Sequence, residues 1–206
     1  MYIYNMKIPI PDSIEAIIFD LDGTLADTMP VHYKACQLVC NEHGFDFPLD
    51  FFIEKAGMPT ITVFELLMKE LDLNYDGEKL GQKKEEKFLE LIPEVKAIPE
   101  VESILLNYLN KIPLAIGSGG QNHSIDLTLK AIGHEDKFDA IVGCEDVANH
   151  KPEPDTFLKA AKLMNVSPEN CLVLEDGEPG IVAATRANMI AINVKDFIGE
   201  PNYQKK

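Results

Sequence analysis

The chain reads as a doubly wound α/β protein: a mostly parallel sheet covered by helices, with one small helical segment inserted after the first strand. Three observations predict this. A short apolar run, Glu15 to Phe19, breaks off in Asp20-Leu21-Asp22-Gly23. From about Pro30 to Pro93 the apolar spacing is helical and no strand pattern interrupts it. Beyond Pro99 helices and strands alternate through short connections.

Each element follows from its residues. Residues 1–14, with Pro9 and Pro11, form a loose lead-in. Glu15 to Phe19 is short and apolar enough for a buried parallel strand. Val31 to His43 is a helix closing near Gly44. Thr60 to Leu71 is a second, with Val63, Leu66, Leu67 and Leu71 on one stripe. Glu78 to Leu91 is a third, and its run Lys83, Lys84, Glu85, Glu86 reads as a solvated face. With hinges at Ala26–Met29 and Pro93–Pro99, the expected domains are 1–27 with 97–206, and 28–96. The later helices are Val101–Asn110, His123–Ile132, Pro154–Met164 and Gly180–Ala187. They lead to strands Pro113–Ile116, Ala140–Val142, Cys171–Leu174 and Ile190–Val194. The sheet is therefore Rossmann-like, and its ligand crevice belongs at the carboxyl ends of the strands.

Composition narrows the function. With 34 acidic against 19 basic residues the net charge is -15, which argues against nucleic acid or an anionic membrane as partner. The single arginine, Arg186, means that an anion is held mainly by lysine, backbone N–H groups, hydroxyls or a metal. Cys36, Cys40, Cys144 and Cys171 form no C-x-x-C pair and read as buried thiols. The first residues lack the basic and apolar regions of a secretory leader, and no apolar run approaches a membrane span. A soluble, cytoplasmic monomer is the expectation.

Four strand ends carry chemistry. Asp20 and Asp22, two residues apart past a strand, can point into one crevice, where a hard cation would relieve their repulsion. An Asp-Gly turn is the plainer reading. A calcium loop counted from Asp20 fails, because its twelfth residue is Val31 rather than Glu. The second strand ends in Gly117-Ser118-Gly119-Gly120 before a helix, which suits an anion or a simple glycine-rich turn. After the third, Pro152 and Pro154 frame Lys151. The fourth ends in Leu174-Glu175-Asp176-Gly177, a second pair of acids. Acids, hydroxyl, lysine and acids at successive strand ends make coincidence a poor account.

These segments, FDLDGTL, IGSGG, KPEPDTF and LEDGEPGI, resemble the haloacid dehalogenase superfamily in its Mg²⁺-dependent phosphohydrolase branch. The helical insert is similar to the cap domain of the β-phosphoglucomutase-like subgroup. The resemblance implies Asp20 as nucleophile, forming an aspartyl phosphate, and Asp22 as general acid and then base. It implies that Ser118 and Lys151 neutralise the transferring phosphoryl group. It implies Mg²⁺ held by Asp20, the Asp22 backbone carbonyl, Glu175 and Asp176. Gly119, Gly120 and the Asn122 side chain would reach substrate oxygens.

The cap would choose the substrate, opening and closing on its hinges. By the resemblance His32 would reach Asp22, and the segment containing Gly57 and Thr60 would meet the substrate. Sugar-phosphate mutases of this type carry an arginine where Thr60 stands, and phosphonoacetaldehyde hydrolases carry a lysine nearby. The Gly-x-Pro-Thr form resembles that of bacterial sugar phosphatases acting on fructose 1-phosphate. A phosphomonoesterase for a small phosphorylated sugar is the expectation. β-Phosphoglucomutase activity and a phosphate- or Mg²⁺-binding module without turnover remain alternatives, the latter because Gly177 and Glu178 depart from the commoner last motif.

Overall fold

The structure is a computed structural model and describes residues 8–56, 58–199, 201 and 203. Strand β1 (Ala16–Phe19) precedes four helices, α1 (Met29–Glu42), α2 (Leu49–Glu54), α3 (Thr60–Glu70) and α4 (Gly77–Leu91). Then come α5 (Pro99–Tyr108), β2 (Leu114–Gly117), α6 (Asn122–Ala131), β3 (Ala140–Val142) and α7 (Asp155–Met164). The chain closes with β4 (Cys171–Glu175), α8 (Glu178–Arg186) and β5 (Ile190–Asn193). It divides into two compact units, Met1–Asp27 with Val95–Glu200, and Thr28–Glu94 with Pro201–Lys206.

The first unit is built on a five-stranded parallel sheet of order β3-β2-β1-β4-β5. Strand β1 is central and buried along its length, with Ile18 opposite both Ala115 and Val173. Continuous Ile, Val, Leu and Ala runs suit strands covered on both faces. On one face Ile18, Ala115 and Val173 join Phe157, Ala160, Ala161, Ala183 and Ala184 of α7 and α8. The small residues bring the helices close: a Cβ on Gly117 would lie 2.9 Å from the Phe157 ring. Burying Phe157 completely contributes roughly 1.5–3 kcal/mol. The sheet grows from β1 to β3 on one side and from β4 to β5 on the other. That reversal opens a crevice past the carboxyl ends of β1 and β4.

The second unit is helical. Tyr33, Cys36, Val39 and Cys40 of α1, Val63, Phe64 and Leu67 of α3, and Leu80 of α4 share its core with Phe47, Phe51 and Phe52. Helices α3 and α4 approach closely through glycine, since a Cβ on Gly77 would lie 2.8 Å from the Glu65 nitrogen. The Asp76 carboxylate starts α4 by accepting the Lys79 N–H at 3.1 Å.

Several expectations shift. The six-residue helix α2 was not expected; it is too short for apolar spacing to reveal, and Phe51 and Phe52 hold it by packing. Leu71 lies beyond the end of α3 and is 38% exposed, so it leaves the predicted stripe. Lys84 does not belong to a solvated face: it is buried, on the same side of α4 as Leu80 and Phe88. The units part at residue 95, and of the last residues Pro201 and Tyr203 group with the helices. Tyr203 packs edge-on to Tyr33 and Phe52, at ring distances of 5.8 and 5.9 Å.

Candidate active site

Residues predicted from four separate strand ends converge at the crevice of the first unit. Asp20 continues β1 and stays tied to its neighbour, its N–H donating to the Leu174 carbonyl at 2.9 Å. Past it the chain turns at Gly23, whose φ of +82° favours glycine. A Cβ there would come within 2.7 Å of Asp176 Oδ2, so the turn lies directly against the last acid of the site.

Lys151 is the hub. Its Nζ donates to Asp20 Oδ1 at 2.6 Å and to Glu175 Oε1 at 2.8 Å. It also sits 4.8 Å from the centre of the Phe157 ring. Only 11% of the Lys151 side chain is exposed, with 8% for Asp20 and 5% for Glu175. Burial works against the Lys151 charge, but Asp20 and Glu175 more than offset it and hold the ammonium above its ordinary range. Burial pushes the Asp20 carboxyl well up, opposed by Lys151 and reinforced by Glu175, Asp176 and Asp22. The ammonium is the firmly charged partner, and the carboxyl groups are short of positive charge.

Glu175 ends β4, and its other oxygen accepts the Gly177 N–H. Gly180 makes room for it, since a Cβ at that position would fall 1.7 Å from Glu175 Oε1. Asp176 Oδ1 accepts from Thr24 Oγ1 at 3.4 Å, and Oδ2 pairs with Lys195 Nζ at 3.1 Å. Burial raises the Asp176 carboxyl, against the pull of Lys195.

Asp22 Oδ2 accepts from Ser118 Oγ at 3.5 Å, and Ser118 Oγ in turn accepts the Gly120 N–H at 3.0 Å. Ser118 is buried, whereas the Gly119 position is open, with nothing within 4 Å of a Cβ built there. Asn122 begins α6, but its side chain is turned onto the Gly143 turn. There it helps hold the Asp146 carboxyl below the usual range, after the Gly143 N–H and alongside Lys159.

A divalent cation fits this donor set. Asp20, Glu175 and Asp176 each offer a carboxylate oxygen, all within 4.8 Å of one another. Hard oxygen ligands in a crevice short of positive charge suit Mg²⁺.

The expected cap residues lie in the second unit. His32 Nδ1 is 2.8 Å from Lys84 Nζ, and its ring stacks on Phe88 at 3.7 Å. Thr60 Oγ1 donates to Glu85 Oε1 at 2.5 Å, and Lys84 Nζ pairs with the same oxygen at 3.1 Å. Burial works against the Glu85 charge, but Lys84 and the Thr60 hydroxyl hold its carboxyl below the usual range. A cavity of about 170 Å³ is lined by His32, Lys55, Thr60 and Lys84 together with Phe52 and Phe64. Gly57 lies outside the described residues.

Sequence reasoning missed three contributors. Lys84 was legible, because Leu80, Lys84 and Phe88 stand four apart on one helix face. Lys195 follows the end of β5, where a lone lysine in Val194-Lys195-Asp196 lacks the paired acids or glycine-rich turn that mark the other strand ends. Arg186 braces the loop after Lys151, donating to the Pro152 carbonyl at 3.1 Å and to Glu153 at 2.5 Å.

A parallel sheet whose switch-point crevice gathers carboxylates around one buried lysine defines a hydrolase of the doubly wound class. Residues 17–194 match the family model described as haloacid dehalogenase-like hydrolase, and the chain belongs to that family. It is 34% identical over 180 residues to fructose-1-phosphate phosphatase YqaB of Escherichia coli (strain K12), covering 87% of this chain and 95% of that one. It is 29% identical over 189 residues to β-phosphoglucomutase of Bacillus subtilis (strain 168), covering 88% and 83%. Among solved structures, β-phosphoglucomutase from Clostridium difficile superposes with a TM-score of 0.72 at 30% identity, covering 94% and 93%. Among the described residues no helix is long and apolar enough to cross a membrane.

Proposed function

We propose that the protein is a Mg²⁺-dependent phosphomonoesterase for a small phosphorylated sugar such as fructose 1-phosphate. One observation carries the reading: Lys151 bridges Asp20 and Glu175, with Asp176 within the same ring of carboxylates. In this reading residues 1–27 and 97–206 form the catalytic core and 28–96 the cap.

Asp20 attacks phosphorus in line, forming an O–P bond as the bond to the sugar oxygen breaks. Asp22 gives its proton to the leaving alkoxide. It then takes one from water, which attacks the aspartyl phosphate and releases phosphate with Asp20 restored. Lys151 and Ser118 stabilise charge on the transferring group, and the Gly119 N–H offers it a further donor; the Gly120 N–H joins only by leaving Ser118 Oγ, to which it already donates. Asp20, the Asp22 carbonyl, Glu175 and Asp176 would hold Mg²⁺, which neutralises phosphoryl charge and lets an anionic nucleophile approach. Asn122 meets the substrate only if its side chain leaves the Gly143 turn. His32, Gly57 and Thr60 are assigned to substrate choice.

The mutase reading has named relatives behind it, but the cap chemistry favours hydrolysis. A mutase must grip a second phosphate. Thr60 instead engages a carboxylate, and both ammonium groups lining the cavity already have acids, Lys55 with Glu54 at 2.6 Å and Lys84 with Glu85. Phosphate release from p-nitrophenyl phosphate and fructose 1-phosphate, dependent on Mg²⁺ and lost in Asp20→Asn, is the expected result. Conversion of β-glucose 1-phosphate to glucose 6-phosphate faster than phosphate release would overturn the assignment.

A further inference from the structure

The acids at the crevice divide between two ammonium groups of different standing. Lys151 is buried and holds Asp20 and Glu175 together. Lys195 reaches in from the turn after β5, and half of its side chain (53%) stays in solvent. Among the described residues its one acid in the site is Asp176, whose Oδ2 it meets at 3.1 Å, while the other oxygen has the long contact from Thr24. Asp176 has little freedom to swing elsewhere. It lies against Gly23, where even a methyl group would come within 2.7 Å of Oδ2.

We propose that Lys195 is a counter-ion that stands in for the divalent cation at Asp176 and thereby sets how tightly the site holds the metal. The inference rests on the reading that Asp176 is a metal ligand, and it adds a residue to which no role in that site has been given. An ammonium group and a divalent cation compete for one carboxylate: both are positive, and each weakens the other's hold across a few ångströms. Lys151 cannot yield easily, because its release would leave two buried carboxylates unpaired. Lys195 can, since its tail is long, its other side is water, and an exposed ion pair is held only weakly. The cation therefore displaces or shares Lys195 at small cost, and that cost is subtracted from its affinity.

The test is calorimetric titration of the full chain with MgCl₂, without substrate, for the parent protein and for Lys195→Met, Lys195→Arg and Asp176→Asn. Magnesium-dependent thermal stabilisation serves as a second readout. Lys195→Met is expected to bind Mg²⁺ about two- to fivefold more tightly, the range an exposed pair can supply. Lys195→Arg, which keeps the charge, should stay close to the parent, and 0.5 M salt should shrink the gap between parent and Lys195→Met by screening. A merely structural role predicts the opposite sign, because a loosened Asp176 would bind the metal less well. Unchanged or weaker binding in Lys195→Met, with binding lost in Asp176→Asn, overturns the counter-ion and leaves the metal site standing. Undiminished binding in Asp176→Asn overturns both.

Discussion

Replacing Lys151 with methionine removes the charge at the hub while keeping most of the side-chain volume. A second ion pair provides a control within the same chain. Lys34 Nζ meets Glu94 at 2.7 Å, practically the separation of Lys151 from Asp20 at 2.6 Å. Distance therefore cannot distinguish them, and exposure does. The Lys34 and Glu94 side chains are 42% and 51% exposed, against 11% and 8% for Lys151 and Asp20. Removing one partner of an exposed pair costs about 0–1 kcal/mol. Removing one partner of a buried pair costs about 3–5 kcal/mol, because a charge is left desolvated without compensation. Lys151 compensates two such carboxylates, so the upper half of that range is expected. Urea unfolding followed by circular dichroism, in EDTA at pH 7, measures both variants against the parent. Added Mg²⁺ should restore part of the loss in Lys151→Met and none in Lys34→Met. If the two variants lose equal stability, the crevice is wetter than the geometry implies, and the electrostatic account of the site fails.

Gly180→Ala places a methyl group 1.7 Å from Glu175 Oε1 and must push that carboxylate off Lys151. About 1–3 kcal/mol of stability should go with the overpacking, together with most of the phosphate release; a variant with parental turnover would show that Glu175 need not stay in place. Lys84→Met exchanges a buried ammonium for a buried thioether and leaves Glu85 and His32 without that contact. The expected signature is a KM for the sugar phosphate raised at least about fivefold, with p-nitrophenyl phosphate nearly unaffected, if the cavity selects the sugar. The thiols give a pH prediction. Burial pushes Cys36 and Cys40 up to about 12 and Cys171 up to about 11, from an ordinary value of 9.0. Their folded pKa values lie above the unfolded one, so the stability they contribute is fully present below pH 9.0. It is lost progressively as pH rises from 9.0 through about 11 for Cys171 and about 12 for Cys36 and Cys40. At pH 8 a thiol reagent should label the partly exposed Cys144 first and the other three only on unfolding.

What the sequence discloses depends on whether a residue's role is local. Asp20, Ser118 and Glu175 each terminate or follow a strand, so an apolar run followed by an abrupt polar residue marks them, and Lys151 is marked by the prolines that follow it. The sheet does the rest by placing β1 between β2 and β4. The parallel order follows from alternating helices and strands, because short connections leave few other ways to bury both sheet faces. Helix α2 escapes the same reasoning. In six residues no period is established, and its existence depends on Phe47 and Phe64 packing against Phe51 and Phe52 from elsewhere in the chain. Lys84 escapes for a different reason. Its neighbours in sequence are charged, and only its register with Leu80 and Phe88 shows that it faces inward. The orientation of Asn122 could not be read at all, since it depends on Gly143, on the far side of β3.

The acidity of the whole chain and its reading as a receptor for phosphate conflict only until the charges at the crevice are counted. Among the described residues Asp20, Glu175 and Asp176 bring three formal negative charges together, and Lys151 and Lys195 return two, leaving one in excess before Asp22 is considered. A phosphate monoester dianion would be repelled from such a place. In the proposed reading one divalent cation would cancel the excess, and a dianion could then enter against Lys151 and the exposed turn at Gly119. A third lysine, or a tighter Lys195, would do the cation's work badly, as a point charge on a flexible stem that cannot draw carboxylate and phosphate oxygens into one coordination sphere. On this account adding positive charge near the crevice should not help an acidic enzyme take its anion. An Asp22→Asn variant at saturating Mg²⁺ should bind inorganic phosphate no more weakly than the parent, yet lose release of phosphate from alkyl esters, whose leaving group needs the proton. Loss of both together would mean that Asp22 holds the anion's site in shape rather than serving the leaving group.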